Sequence, residues 1–166
     1  MPAARTGQPA LRLVTSHEAE VLAPLVWFCS HCGTRPAPPG PSGSSRVCGE
    51  CGLGLILEAG ADVAPRAGDA FLVLDRTLAV CAVSRAAERL LAVSEPDAVN
   101  RHVTDLLMPA AAEECDDGLA VAVTWAARGE GGTRTTVVRP ANTFGIRLTA
   151  RITSCGPPRA ALLVLE

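Results

Sequence analysis

The chain has 166 residues, 48% hydrophobic and 19% charged, enough for one ordinary domain or for one domain with a miniature companion. Its formal net charge of -2 argues against broad electrostatic binding to nucleic acid or a membrane surface, although local patches stay open. All fifteen basic residues are Arg and Tyr is absent, a bias of GC-rich coding that implies an aliphatic core with few platforms for stacking bases.

Residues 1–20 are mixed in character and are expected to be poorly ordered. They lack the continuous apolar stretch of a secretory signal, and no run in the chain reaches the ~18 apolar residues of a membrane span. A cytoplasmic protein is therefore expected, and in that compartment paired thiols are more often metal ligands than disulfides.

Residues 21–58 hold four of the seven cysteines, in two copies of C-x-x-C-G spaced Cys29-x2-Cys32-x15-Cys48-x2-Cys51. Two such pairs on tight turns, joined by a Pro/Gly/Ser-rich loop, suit a tetrahedral site of four thiolates. Gly33 and Gly52 follow the second cysteine of each pair, where a positive φ is often needed. The double motif resembles the zinc-ribbon family over about residues 26–57. The resemblance implies a zinc ion that is structural, because a full thiolate shell leaves no position for water. A rubredoxin-type iron also fits four thiolates, while two disulfides or a redox dithiol fit the setting less well. His31, inside the first knuckle, reads as a solvent-facing spectator, with a role behind the ligands or as an alternate ligand as the sharper alternative. Trp27 and Phe28 read as packing under the ribbon or against a neighbouring domain, and Arg35 with Arg46 makes a thin footprint for nucleic acid. Residues 59–69 are short on bulky side chains and read as a linker.

Residues 70–166 begin with apolar runs at 70–75 and 78–84 about a tight turn at Arg76 and Thr77. Ser84 is a candidate N-cap for a helix that places Ala87, Leu90 and Leu91 on one face. Ser94 and Pro96 mark a further short helix, and over about 113–127 one longer helix or two pieces broken near Gly118 is expected, opened by Glu113-Glu114 and Asp116-Asp117. Three strands follow at 133–140, 144–155 and 159–166. In the second, Ile146, Leu148, Ala150 and Ile152 alternate with Arg147, Thr149, Arg151 and Thr153, giving one buried and one wet face. The expected fold class is α+β: a five-stranded antiparallel sheet with helices on one face, preceded by the four-cysteine ribbon.

The run from Asp75 through Ser84, Ala86, Ala87, Glu88, Leu90 and Leu91 to Leu106-Leu107 resembles the opening of PAS domains, and the order of elements extends the resemblance over about 69–166. Ser84 stands where that family usually has Asn, and Ala92 and Asn100 stand where it often has Gly. The resemblance implies a sensory domain that dimerises or binds a protein partner, with a small-ligand cavity between sheet and helices. Heme or flavin is not expected. No reactive-cysteine flavin stretch occurs, and the 113–127 helix offers Cys115 but neither His nor Met, with His102 and Met108 outside it.

Cys81, Cys115 and Cys155 read as small hydrophobes filling the core, and His102 as a surface or capping residue. The three histidines, at 17, 31 and 102, have no nucleophile or acid partner in pattern, so no enzyme is expected. The sequence thus points to a cytoplasmic, bacterial-type regulatory protein without catalysis. Two alternatives stay open: a nucleic-acid-associated factor contacting DNA or RNA through the ribbon, and a thiol or zinc redox sensor.

Overall fold

A computed structural model describes residues 23–37, 45–110, 118–130 and 132–166. The N-terminal segment 1–20, Cys115 and both acidic pairs fall outside the described residues. Two strands, β1 (Leu25–Cys29) and β2 (Ile56–Gly60), pair antiparallel and carry the two knuckles at one end. The larger sheet contains β3 (Ala70–Leu74), β4 (Val80–Val83), β5 (Leu107–Pro109), β6 (Arg134–Pro140), β7 (Leu148–Cys155) and β8 (Ala160–Leu165). Its order is β4-β3-β8-β7-β6-β5 with every neighbouring pair antiparallel. Between β4 and β6 in the chain come α1 (Arg85–Leu91), α2 (Glu95–Ala98), a 3-10 turn at Val103–Asp105 and α3 (Leu119–Arg128).

The expected order of two strands, helices and three strands is present, but the sheet has six strands among the described residues, not five. The extra one, Leu107–Pro109, pairs with Val138–Pro140 at the sheet edge. Three residues ending in Pro are too few for an alternation to register, and Pro is tolerated there because an edge strand needs fewer donors. The second of the final strands starts at Leu148 rather than 144. Phe144 and Ile146 lie exposed beside Gly145, whose φ is +82°. The long helix ends at Arg128 with Gly129 in the left-handed region, a common stop.

Local chemistry explains the opening of this unit. Asp75 Oδ1 accepts from Thr77 N, Thr77 Oγ1 and Ala79 N, which fixes the β3–β4 turn. Burial works against the charged Asp75 carboxylate, but these bonds outweigh it and hold its pKa below the ordinary value. Ser84 caps α1 by accepting from Ala87 N at 3.2 Å, and ties it to β3 by accepting from Phe71 N and donating to Asp69 O. His102 caps the 3-10 turn through Thr104, as a capping residue would.

Strands β3 and β8 are buried on both faces of the sheet. Toward the helices, Leu72, Leu74, Ile152 and Leu163 meet Leu91, Ala122 and Val123. On the opposite face, Phe71, Val73, Leu162 and Val164 meet Phe28, Leu57 and Ala59 of the β1–β2 pair. The cysteine-bearing strands cover this face at β3 and β8, and β8 is buried along its whole length, while on β7 Thr149, Arg151 and Thr153 stay partly exposed and alternate with buried Ala150 and Ile152, as expected. Phe28 and Phe71 are fully buried and contact edge to face, centroids 5.9 Å apart at 84°. Each such burial is worth about 1.5–3 kcal/mol. Glu58 and Gly156 exchange backbone hydrogen bonds of 2.5 and 3.0 Å, joining the two sheets. Residues 59–69, expected as a linker, complete β2 at Gly60 and bury Val63 and Ala64. Small side chains there reflect close packing rather than an open tether.

Candidate metal centre and the adjoining groove

The four cysteines at 29, 32, 48 and 51 converge, and their Sγ atoms all lie within 4.8 Å of one another. Cys29 Sγ is 3.6 Å from Cys51 Sγ, and Cys32 Sγ is 3.8 Å from Cys48 Sγ. A tetrahedron with metal–sulfur bonds of about 2.3 Å has edges of about 3.8 Å, so the thiols are spaced to hold a metal ion. Cys29 comes from the end of β1 and Cys32 from the turn after it. The second pair sits on a matching turn, where Cys48 N donates to Gly54 O and Gly52 N to Cys48 O.

The backbone is shaped around the sulfurs. His31 N and Cys32 N point at Cys29 Sγ at 3.4 and 3.5 Å, and Gly54 N points at Cys51 Sγ at 3.5 Å. Gly33 and Gly52 have φ of +71° and +69°, as expected at both positions. Gly54 was not singled out by the motif, yet a Cβ there would fall against Cys29 Sγ and the His31 backbone. Its signal was the third glycine of CGECGLG, which sequence spacing does not separate from its neighbours.

The thiol electrostatics also suit a cation. Burial pushes the Cys29 thiol up to about 12 against the N–H groups of Cys32 and His31. Burial acts in the same direction on Cys51, but N–H groups of Gly54 and Leu53, with the Cys29 and Cys32 thiols, bring it down to about 6. The surroundings thus push the two thiols in opposite directions. A divalent ion favours four thiolates and releases protons.

His31 is not the solvent-facing spectator expected: its side chain is 6% exposed. Its Nε2 lies 3.2 Å from Arg85 Nε, and its Nδ1 is 3.2 Å from Glu95 Oε2, close in distance but outside hydrogen-bond geometry. Its carbonyl accepts from Arg85 N. The ring thus bridges the first knuckle to α1 and α2, and Glu95, 64 positions along, carried no sequence cue for this. The two arginines of the ribbon are engaged within the chain. Arg35 donates to the Ala64 and Pro65 carbonyls, and Arg46 to Pro157 O.

Cys155 is buried, as expected of a core hydrophobe, and burial with the nearby Cys81 raises its thiol to about 12. Cys81 departs from that expectation. It is exposed on β4, an edge strand of the sheet among the described residues. It lines a groove of about 810 Å³ that runs from the second knuckle around the β3–β4 turn to the end of α3. Leu57, Val73, Ala82 and Ala160 form an apolar floor, Leu53 and Leu55 an apolar wall, and Arg76, Arg128 and Arg159 part of the rim. This groove lies outside the sheet–helix interior, where the resemblance placed a ligand cavity. No helix among the described residues is long and apolar enough to cross a membrane.

No protein-family profile and no curated protein matches the chain. Among solved structures, the PAS domain of nitrogen regulation protein NR(II) from Vibrio parahaemolyticus is similar at 19% identity. The match covers 60% of this chain and 88% of that one, with a TM-score of 0.45.

Proposed function

We propose that the chain is a non-catalytic regulatory protein in which a PAS-like unit recognises a protein partner or small ligand and dimerises. Cys29, Cys32, Cys48 and Cys51 hold a structural zinc ion that fixes part of the same recognition surface. Support for the PAS-like reading comes from the antiparallel order β4-β3-β8-β7-β6 and from the Asp75 turn leading into the Ser84-capped α1. The observation that carries the combined reading is the packing of the cysteine-bearing strands on the sheet through Phe28 and Phe71. With four thiolates as ligands, the ion contributes folding energy and no open coordination position. The engagement of Arg35 and Arg46 by carbonyls of the chain itself favours recognition of protein or small molecule over nucleic acid.

Elemental analysis of protein purified under reducing conditions, with an absorption spectrum and light scattering on the same sample, tests this reading. One zinc per chain, no chromophore and a dimer are expected, with zinc lost from Cys32→Ser/Cys51→Ser. An iron–thiolate absorption band, or a metal-free folded protein, would overturn the metal assignment. A strict monomer with salt-sensitive DNA binding would overturn the recognition assignment.

A further inference from the structure

We infer that His31 is a positioning residue of the metal centre, and that through it helices α1 and α2 set the affinity of the four cysteines for their ion. The coupling rests on the structural-metal reading and adds what controls that site. His31 stands between the first two ligands in sequence, and its backbone and ring face different neighbours. Its backbone N–H lies on Cys29 Sγ at 3.4 Å, beside that of Cys32 at 3.5 Å. Its ring is buried against the helices, with only 6% of the side chain exposed.

The partners fix the ring in one state. Arg85 Nε, 3.2 Å from Nε2, can only donate, so Nε2 accepts and the ring's proton sits on Nδ1. That proton faces Glu95 Oε2 across 3.2 Å, out of line for a hydrogen bond. Nδ1 and Arg151 Nε are the two buried side-chain polar atoms without a hydrogen bond among the described residues. An unpaired buried donor is costly, and an apolar side chain would serve packing alone without that cost.

The helices are tied to each other and to the knuckle. Glu95 N donates to Glu88 Oε1 at 2.7 Å, Val83 N reaches Glu95 Oε1 at 3.5 Å, and Arg85 N donates to the His31 carbonyl at 3.1 Å. A shift of α1 or α2 therefore turns the His31 peptide, and with it the N–H on the ligand sulfur. Loss of groups that orient metal ligands typically costs about 10–100-fold in affinity. The coupling is reciprocal, so a bound ion biases α1 and α2 by the same factor as they bias its binding.

The test measures zinc affinity of the full chain under reducing conditions, by competition with a chromophoric chelator. The thiolate-to-cobalt charge-transfer spectrum is recorded after loading with cobalt(II). Arg85→Met keeps the backbone bond to the His31 carbonyl and removes only the guanidinium. It is expected to weaken zinc binding about tenfold and to shift the cobalt band, because hydrogen bonds to the ligands tune the metal. Arg89→Met, whose native side chain lines the same cleft beside the first knuckle, should change neither. In a His31→Leu background, Arg85→Met should cost no further affinity, since both changes act through one ring. Unchanged affinity or an unchanged cobalt band in Arg85→Met, an equal loss in Arg89→Met, or additive losses in the double variant would overturn the proposal. If His31→Leu fails to fold, the two arginine variants decide it alone. Metal bound equally by every variant refutes the coupling alone, whereas a folded chain that binds neither ion refutes the metal reading itself.

Discussion

A methyl group on Gly54 would land against Cys29 Sγ and the His31 backbone, whereas one on Gly49 would meet nothing within 4 Å. The two glycines share one short stretch of the second knuckle, and their difference arises because Gly54 lies beneath the first knuckle. Gly54→Ala must push Cys29 from its corner of the tetrahedron or tilt the turn that donates Gly54 N to Cys51. Displacement of groups that orient metal ligands typically costs about 10–100-fold in affinity. We expect that loss for Gly54→Ala and none for Gly49→Ala in a competitive titration against a chromophoric zinc chelator. Equal affinities in the two variants would show that the close approach is irrelevant to metal binding. His31 belongs to the same lesson. Four cysteines complete a ligand shell and so suggest a free ring, but the fold brings Arg85 and Glu95 to it from helices that no local pattern connects to the knuckle.

At the scale of elements, α1 ends on Ala92 at φ +49°, and Asn100 two turns later has φ +68°. These are the two positions where the PAS resemblance leads one to look for Gly, and the backbone takes the left-handed conformation at both. Asn tolerates it, but an Ala Cβ crowds the following carbonyl at roughly 1–2 kcal/mol. Ala92→Gly should therefore stabilise the protein by about 0.5–1 kcal/mol, the gain being reduced by the greater freedom of Gly in the unfolded chain. Urea unfolding checks it; an unchanged or lower midpoint would mean that Ala92 is not strained. The elements legible in the sequence were those whose chemistry is local: the Asp75 turn, the Ser84 cap and the alternating β7. Those that were not legible depend on distant partners. β5 exists because β6 offers it an edge, and residues 59–69 look like a tether until Val63 and Ala64 are seen buried. The convergence of the four cysteines was legible because their spacing alone encodes two turns.

For the whole molecule, the central question is whether the knuckles are an appendage or part of one cooperative body. The sequence suggested the former, since composition shifts sharply at residue 59 and the ribbon motif is complete by itself. The packing argues for the latter. Phe28, Leu57 and Ala59 complete a core whose other half is Phe71, Leu162 and Val164, and Glu58 is hydrogen-bonded to Gly156 in both directions. If β1 and β2 detach, the outer face of β3 and β8 is exposed to water, so the free energy of metal binding should be transmitted to the large sheet. A metal at ~1,000 times its dissociation constant adds about 4 kcal/mol to stability, which for a chain of this size raises Tm by roughly 8–16 °C. Two probes separate the alternatives. In Trp125→Phe, fluorescence reports Trp27 on β1, while far-ultraviolet circular dichroism reports mainly the large sheet and helices. Both transitions should coincide and fall together when zinc is removed by a chelator under reducing conditions. Early loss of the Trp27 signal, with a later dichroism transition indifferent to zinc, would mean that the knuckles fold apart from the sheet. The shared core predicts the single transition, because neither half can shed its partner without exposing a buried phenylalanine.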